Sequence, residues 1–189
     1  GACIQNCRRS YKITDDQTGD ELVIDNHHVM SPKDISTLHF LDKIIASGVS
    51  ILKIEGRGRS PDYVYTVTNV YSEAVASVYN NTYNEEKLKE WQEEVKTVFN
   101  RGFWEGGYYL GKKLGDWTGY SGNRATVKKE ELGIVKNYYP KIGVVELYTM
   151  ANELRIGDNL LFIGKTTGAF KFTIENIRLD NKSVEQAEK

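Results

Sequence analysis

The chain has 189 residues, 40% of them hydrophobic and 27% charged, with a formal net charge of −1. That is enough apolar mass for one ordinary domain or two small ones, and the charge balance exerts no global pull toward nucleic acid or an anionic membrane. No apolar run approaches a membrane span and no signal peptide is visible, so a cytoplasmic location is expected and the sequons at Asn80 and Asn181 carry little meaning.

The first residues read "GACIQNCRRSYK", with Cys3 and Cys7, the only cysteines, running into Arg8 and Arg9. Two cysteines in a chain of this length are not a disulfide framework. Thiolates are the soft ligands that select zinc or an iron–sulfur cluster, and a four-residue step lets two sulfurs reach one centre. Neighbouring positive charge also lowers a thiol's pKa. Both centres usually take four ligands, and the further candidates are His27, His28 and His39. A pair of free thiols near a chain end fits the same spacing. The chain starts without Met and ends on "SVEQAEK", which reads as a piece of a longer protein.

Next, "YKIT" and "ELVID" flank the turn-rich "DDQTGD", a β-hairpin pattern. "HHVM" reads as a short strand, in which the adjacent His27 and His28 face opposite sides and share no task. "SPKD" predicts a helix start, with Ser31 as N-cap, Pro32 at the first helical position and Asp34 in the first turn. Leu38, Leu41, Ile44 and Ile45 give that helix an apolar stripe, and Gly48 closes it. "VSILKI" reads as a buried strand and "EGRGR" as a turn, after which "SPDY" opens a second helix carrying Val64, Val67, Tyr71, Ala74 and Val78. Residues 29–80 therefore read strand–helix–strand–helix, the signature of a parallel α/β sheet.

A charged helix is predicted from about Asn84 to Phe99, with Leu88, Trp91, Val95 and Val98 as its apolar face and a solvated acidic side. Residues 101–128 read as a Gly- and aromatic-rich linker. From Glu131 the pattern changes to short alternating strands, "LGIVKNYY", "GVVELY", "NLLFIG" and "FKFTIENI", which predict a small antiparallel barrel or sandwich over 129–189.

Among the motifs, "KIEGRGRS" gathers Lys53, Glu55, Arg57 and Arg59 where a strand hands over to a helix, the end of an α/β unit at which ligands bind. The helix starting at Ser60 also offers N–H groups to an anion. A Gly-rich turn with solvated arginines fits the same residues. "GKTTG" mimics a phosphate loop, but Asn159 stands where the P-loop needs its first Gly, so it reads as a hairpin turn. Residues 101–141 hold eight Lys or Arg against four acids, a balance of +4, interleaved with Trp104, Tyr108, Tyr109, Trp117 and Tyr120. Basic groups among exposed rings hold single-stranded RNA, while rings in a loop also pack it onto its own domain.

Three stretches, "GACIQNCRRSYK", "MSPKDISTLHFLDKIIASGVSILKIEGRGRSPDYVYTVTNVYSEAV" and "FNRGFWEGGYYLG", resemble the collagenase-like peptidase family, number thirty-two of the peptidases of unknown type. The likeness runs along nearly the whole chain. It implies an α+β chain: over 1–100 the last strand–helix units of an incomplete TIM-like barrel, then the linker, then the small β-barrel domain. The family takes its name from collagen degradation. Other members hydroxylate RNA bases, a tRNA wobble uridine or a ribosomal cytidine, or assist ubiquinone hydroxylation, and these carry a 4Fe-4S cluster on four cysteines. Carried over by position, Cys3 and Cys7 match the last two cluster ligands, and the first two are expected upstream of Gly1. Glu55 and Arg57 come to the active-site mouth as candidate catalytic residues, with Arg59 and Arg101 as substrate-binding candidates. The resemblance implies an iron–sulfur enzyme acting on tRNA, with a peptidase and a non-catalytic RNA- or protein-binding module as alternatives. Two strand–helix units do not close a barrel of eight, so the first eighty residues are expected either to pair with the missing N-terminal part or another chain, or to be poorly ordered. No membrane partner is expected.

Overall fold

A computed structural model describes residues 4, 6, 9–24, 33–104, 118, 122–150 and 153–187. Cys3, Cys7, Arg8, the "HHVM" strand with His27 and His28, the proposed cap at Ser31–Pro32 and most of the aromatic linker lie outside the described residues. The chain divides into two compact units, 1–127 and 128–189. It is mixed α+β, with three helices and six two-stranded sheets among the described residues.

The first unit begins with the hairpin read from the sequence. β1 (Tyr11–Thr14) and β2 (Glu21–Ile24) pair antiparallel from Tyr11↔Ile24 to Thr14↔Glu21. Asp15 closes their turn by accepting the Gln17 and Thr18 N–H groups at 2.8 and 2.9 Å. Those bonds favour the charged carboxylate and hold its pKa below the ordinary value.

β3 (Asp34–Ile35) follows, then a 3₁₀ turn at Leu38–Phe40 and α1 (Leu41–Ala46), which ends at Gly48 with φ +89°. α2 spans Pro61–Tyr79, with Ser60 before it and Pro61 at its first position, where a missing N–H costs nothing. α3 spans Glu85–Lys96, and Asn84 Oδ1 caps it by accepting the Lys87 N–H at 3.0 Å. β4 (Phe103–Trp104) closes the unit's main body and pairs parallel with β3. The core is Leu38 and Leu41, Val70 and Ala74 of α2, and Leu88, Trp91 and Val95 of α3. The i, i+3 and i, i+4 steps on α2 and α3 put these groups on facing stripes, and each large apolar side chain buried contributes about 1.5–3 kcal/mol. Ala74, fully buried, keeps the contact between the stripes narrow.

Two expectations for this unit are corrected. No helix starts at "SPKD": Asp34 and Ile35 are strand, because the Asp34 N–H donates to the Gly102 carbonyl at 2.9 Å and Ile35 pairs with Trp104. A long-range pairing overrides the local cap chemistry, and helix begins only at Leu38. Nor is "VSILKI" a buried strand. Residues 49–56 form no regular element and Ile51 is 86% exposed, since no strand among the described residues pairs with them to complete a ladder.

The second unit is built from hairpins. β5 (Gly133–Tyr139) pairs with β6 (Val144–Thr149), with a bulge between Val135 and Asn137. β8 (Asn159–Gly164) pairs with β9 (Gly168–Thr173) around the "GKTTG" turn. β10 (Ile177–Leu179) pairs with β11 (Lys182–Val184), and β7 (Leu154–Arg155) with β12 (Gln186–Ala187). Leu154, Ile174 and Ile177 form the core, flanked by Leu132, Leu147 and Leu160. The small β-barrel expected here is not formed: no sheet among the described residues is wider than two strands, and none closes into a barrel. No helix among the described residues is long and apolar enough to cross a membrane.

Candidate functional site

The first unit brings three charged side chains from distant parts of the chain to one point. Asp34 sits on β3, held in register by the Gly102 carbonyl. Gly102 has φ +80°, a conformation that favours glycine, and an added Cβ would lie 2.9 Å from Arg124 Nη1. Asn100, buried, fixes the approach to β4: its amide donates to the Lys96 and Val98 carbonyls at 3.3 and 3.0 Å and its Oδ1 accepts the Gly102 N–H at 3.0 Å. This places Arg101 against Asp34. The Arg101 Nε and Nη2 donate to Asp34 Oδ1 at 3.1 and 2.8 Å, and its backbone N–H donates to Oδ2 at 2.9 Å.

Arg59 arrives from the other side. It follows Gly58 (φ +72°) in the "EGRGR" turn, which is closed by the Arg59 N–H on the Gly56 carbonyl at 2.9 Å. Its Nη2 lies 3.6 Å from Asp34 Oδ1, and its guanidinium carbon stands 3.9 Å above the Phe99 ring and 5.4 Å from that of Tyr63. Such a cation–π contact is worth about 0.5–2 kcal/mol and fixes the plane of the fork. All three charged side chains are about four-fifths covered. Two guanidiniums share one carboxylate, so the trio keeps one positive charge in excess.

A shallow cavity opens beside the trio, lined by Asp34, Ser36, Tyr63, Tyr71, Phe99 and Phe103 among others. Burial, and then the Asp34 charge, push the Tyr63 phenol above its usual value, so it stays protonated at neutral pH and remains able to donate. Tyr71 Oη accepts the Thr37 N–H at 3.0 Å and lies 3.1 Å from Thr37 Oγ1. Of the trio only Asp34 lines this cavity; Arg59 and Arg101 hold its carboxylate from beside it.

Of the sequence candidates, Arg59 and Arg101 meet here. Glu55 and Arg57 do not: both are exposed, and the Glu55 carboxylate accepts the Arg57 N–H at 2.8 Å, closing their own turn. Neither makes a hydrogen bond or ion pair with Asp34. Cys3 and Cys7 fall outside the described residues. Among the described residues no group of three or more His, Cys, Asp or Glu is placed to hold a metal. His39 Nε2 lies 2.6 Å from Gln92 Nε2. Asp34 and Phe99 were missed as site residues. Asp34 reads locally as a first-turn helix acid, and nothing in the spacing of residues 34, 59 and 101 reports their meeting.

Residues 1–119 match peptidase family U32. The chain is 47% identical over all its 189 residues to a collagenase of Porphyromonas gingivalis (strain ATCC BAA-308 / W83), covering 45% of that protein. It is 34% identical, over its whole length and 47% of the relative, to an uncharacterized protease of Methanocaldococcus jannaschii. A tRNA hydroxylation protein of Bacillus subtilis (strain 168) is 31% identical over 94% of this chain and 42% of its own length. The chain thus spans about half the length of the curated relatives it matches. No solved structure matches it significantly.

Proposed function

The chain belongs to peptidase family U32, and we propose that the protein it represents is an iron–sulfur enzyme of RNA-base hydroxylation, with a tRNA wobble uridine as substrate. The observation that carries this is the Arg59–Asp34–Arg101 trio, two cations on one carboxylate, fixed on a ring and lying beside a small cavity lined by rings and by Asp34. That is chemistry suited to a phosphate and a base. The tRNA hydroxylation protein that matches nearly the whole chain supports the same reading. Arg59 and Arg101 bind the anionic backbone, Tyr63 donates a hydrogen bond, and Asp34 holds both forks in place. Cys3 and Cys7 would provide two of the thiolates for a 4Fe-4S cluster. Such a cluster would supply one-electron transfer, which side chains alone do not offer; the hydroxyl oxygen and the oxidising equivalents would come from a separate oxygen donor.

The parallel bridge of β3 and β4 is the pairing expected of a fragment of a TIM-like barrel, in which residues 49–56 would gain neighbouring strands from the rest of the protein. A second reading is a peptidase acting on collagen-like chains, favoured by the 47% identity to a protein named collagenase.

Deletion of the gene and mass spectrometry of tRNA nucleosides tests the first reading. Loss of hydroxyuridine is expected. Unchanged hydroxyuridine, together with gelatin cleavage by the purified full-length protein, would establish the second. For the cluster, Cys3→Ser and Cys7→Ser in anaerobically purified full-length protein should each lower bound iron and visible absorption, since a hydroxyl is a poor ligand for that iron. Full retention in both variants removes these thiols from the cluster.

A further inference from the structure

The second unit carries a row of rings that its core does not absorb. In the β8–β9 hairpin Phe162 is directly opposite Phe170, and Leu160 is opposite Phe172. Alternation puts these four side chains on one face. Leu160 packs on the unit's core, so that end of the face is anchored. The rings then run outward: the Phe162 and Phe170 centroids are 6.3 Å apart, and Phe170 and Phe172 stack at 6.5 Å with 20° between their planes. Phe170 is 53% exposed and Phe172 44%. Burying either ring would contribute about 1.5–3 kcal/mol, so leaving both in water is a cost the fold alone does not explain.

The charge pattern around them favours one kind of occupant. Residues 159–173 hold Lys165 and Lys171 and no acid. The β5–β6 hairpin, residues 133–149, adds Lys136 and Lys141 against Glu146, whose carboxylate accepts the Tyr139 hydroxyl at 2.8 Å. Lys136 also lies 5.9 Å from the centre of the half-exposed Tyr148 ring. The two long hairpins therefore carry four lysines to one carboxylate, while the rest of residues 128–189 carries six basic residues to eight acids. Cations are segregated onto the ribbons that display the rings. An apolar protein partner does not call for that segregation. A polyanion with planar, stackable groups does.

We propose that the β8–β9 ribbon is a stacking platform for single-stranded RNA, with Phe170 and Phe172 taking bases and Lys165 and Lys171 taking phosphates. Lys165 lies in the turn and Lys171 between the two rings on the reverse face, and a ribbon only two strands wide leaves both within reach of one nucleic-acid strand. This deepens the RNA-modification reading and rests on it for the identity of the RNA, but the platform is testable without any enzymatic step.

The test is fluorescence anisotropy of the 189-residue chain with a labelled oligouridine of about 12 nucleotides, within the span such small β folds track. Phe170→Ala and Phe172→Ala should each weaken binding by about 5- to 100-fold, the loss of one stacked base, with circular dichroism unchanged. Phe170→Tyr, which keeps a ring, should bind as the parent chain does. Lys165→Ala and Lys171→Ala should each flatten the log–log salt slope by about 0.7. The proposal is overturned if oligouridine does not bind, or if the Phe variants bind it unchanged. It also falls if gelatin rather than RNA depends on Phe170, or if Phe170→Ala only converts a dimer to a monomer in light scattering. Loss of binding in the Phe variants, alongside unchanged hydroxyuridine after gene deletion, would keep the platform and refute the hydroxylation reading. The opposite pair of results would refute the platform alone.

Discussion

Arg101 engages both oxygens of Asp34 across 67 positions of sequence: its guanidinium donates twice to Oδ1 and its backbone N–H once to Oδ2. The same residue pair adjoins the only parallel pairing among the described residues, so side-chain and main-chain contacts fix one register together. Charge-assisted hydrogen bonds contribute about 1.5–3 kcal/mol each, more than a neutral one. Asp34→Asn and Arg101→Lys should each lower unfolding stability by about 1.5–3 kcal/mol in urea titrations. Arg101→Met combined with Asp34→Leu should lose less than the sum of Arg101→Met and Asp34→Leu measured singly, because removing both leaves neither partner of this pair buried alone, with only Arg59 losing its carboxylate. Strict additivity would show that the two residues do not act as a pair.

Arg59 and Arg57 make separate predictions for RNA binding by the full-length protein. Arg57 is exposed and bound only through its backbone, so its charge is available to a phosphate. Arg57→Ala should reduce the log–log salt slope of tRNA binding by about 0.9. Arg59→Lys keeps the charge but loses the planar stack on Phe99. It should weaken tRNA binding with the salt slope nearly unchanged. An unaltered affinity would leave Arg59 as a structural partner of Asp34 and Phe99 alone.

The β5–β6 hairpin makes a steric prediction. A Cβ added at Gly133 would lie 2.0 Å from the Tyr148 carbonyl oxygen, a backbone atom that moves only if the ladder opens. Gly133→Ala should therefore destabilise the second unit by about 3 kcal/mol, the upper range for overpacking. Gly143, in the turn, has φ +64° and nothing near its absent Cβ, so Gly143→Ala should cost only the left-handed penalty, about 1–2 kcal/mol. Thermal melts followed by circular dichroism compare the two. Equal effects would show that the close approach at Gly133 is relieved by a small shift.

What the sequence made legible is what local chemistry decides. The turn at "DDQTGD", the Ser60–Pro61 start and Asn84 cap of two helices, and the alternating strands after Glu131 each rest on residues within a few positions of one another. Failure came where a distant segment competes. Asp34 has the chemistry of a helix first turn, yet Gly102 and Arg101 draw it into a strand. "VSILKI" has the composition of a buried strand, yet no strand among the described residues pairs with it and it is irregular and largely exposed. The site shows the same division. Arg59 and Arg101 were recognisable as cations near turns, but the carboxylate and the ring that organise them, Asp34 and Phe99, are joined to them only by the fold.

Tyr83 links the first unit's core to pH. Its hydroxyl donates to the Leu38 carbonyl, its ring lies 5.9 Å from Trp91, and burial, with Asp42 adding negative charge, pushes its pKa up to about 12. An unfolded tyrosine titrates near 10. The folded state therefore favours the neutral phenol, and between the two values the unfolded chain binds fewer protons than the native one. The contribution of Tyr83 should be complete below about pH 10 and should fall as pH rises from 10 toward 12. Tyr83→Phe lacks this titration and also loses the bond to Leu38, a cost of about 0.5–1.5 kcal/mol at neutral pH. The stability gap between the parent chain and Tyr83→Phe should be constant from about pH 7 to 9 and narrow above about pH 10. Guanidinium unfolding at a series of pH values measures it, with the remaining tyrosines cancelling in the difference. A gap that holds constant through the alkaline range would mean that Tyr83 ionises as readily in the folded chain as in the unfolded one.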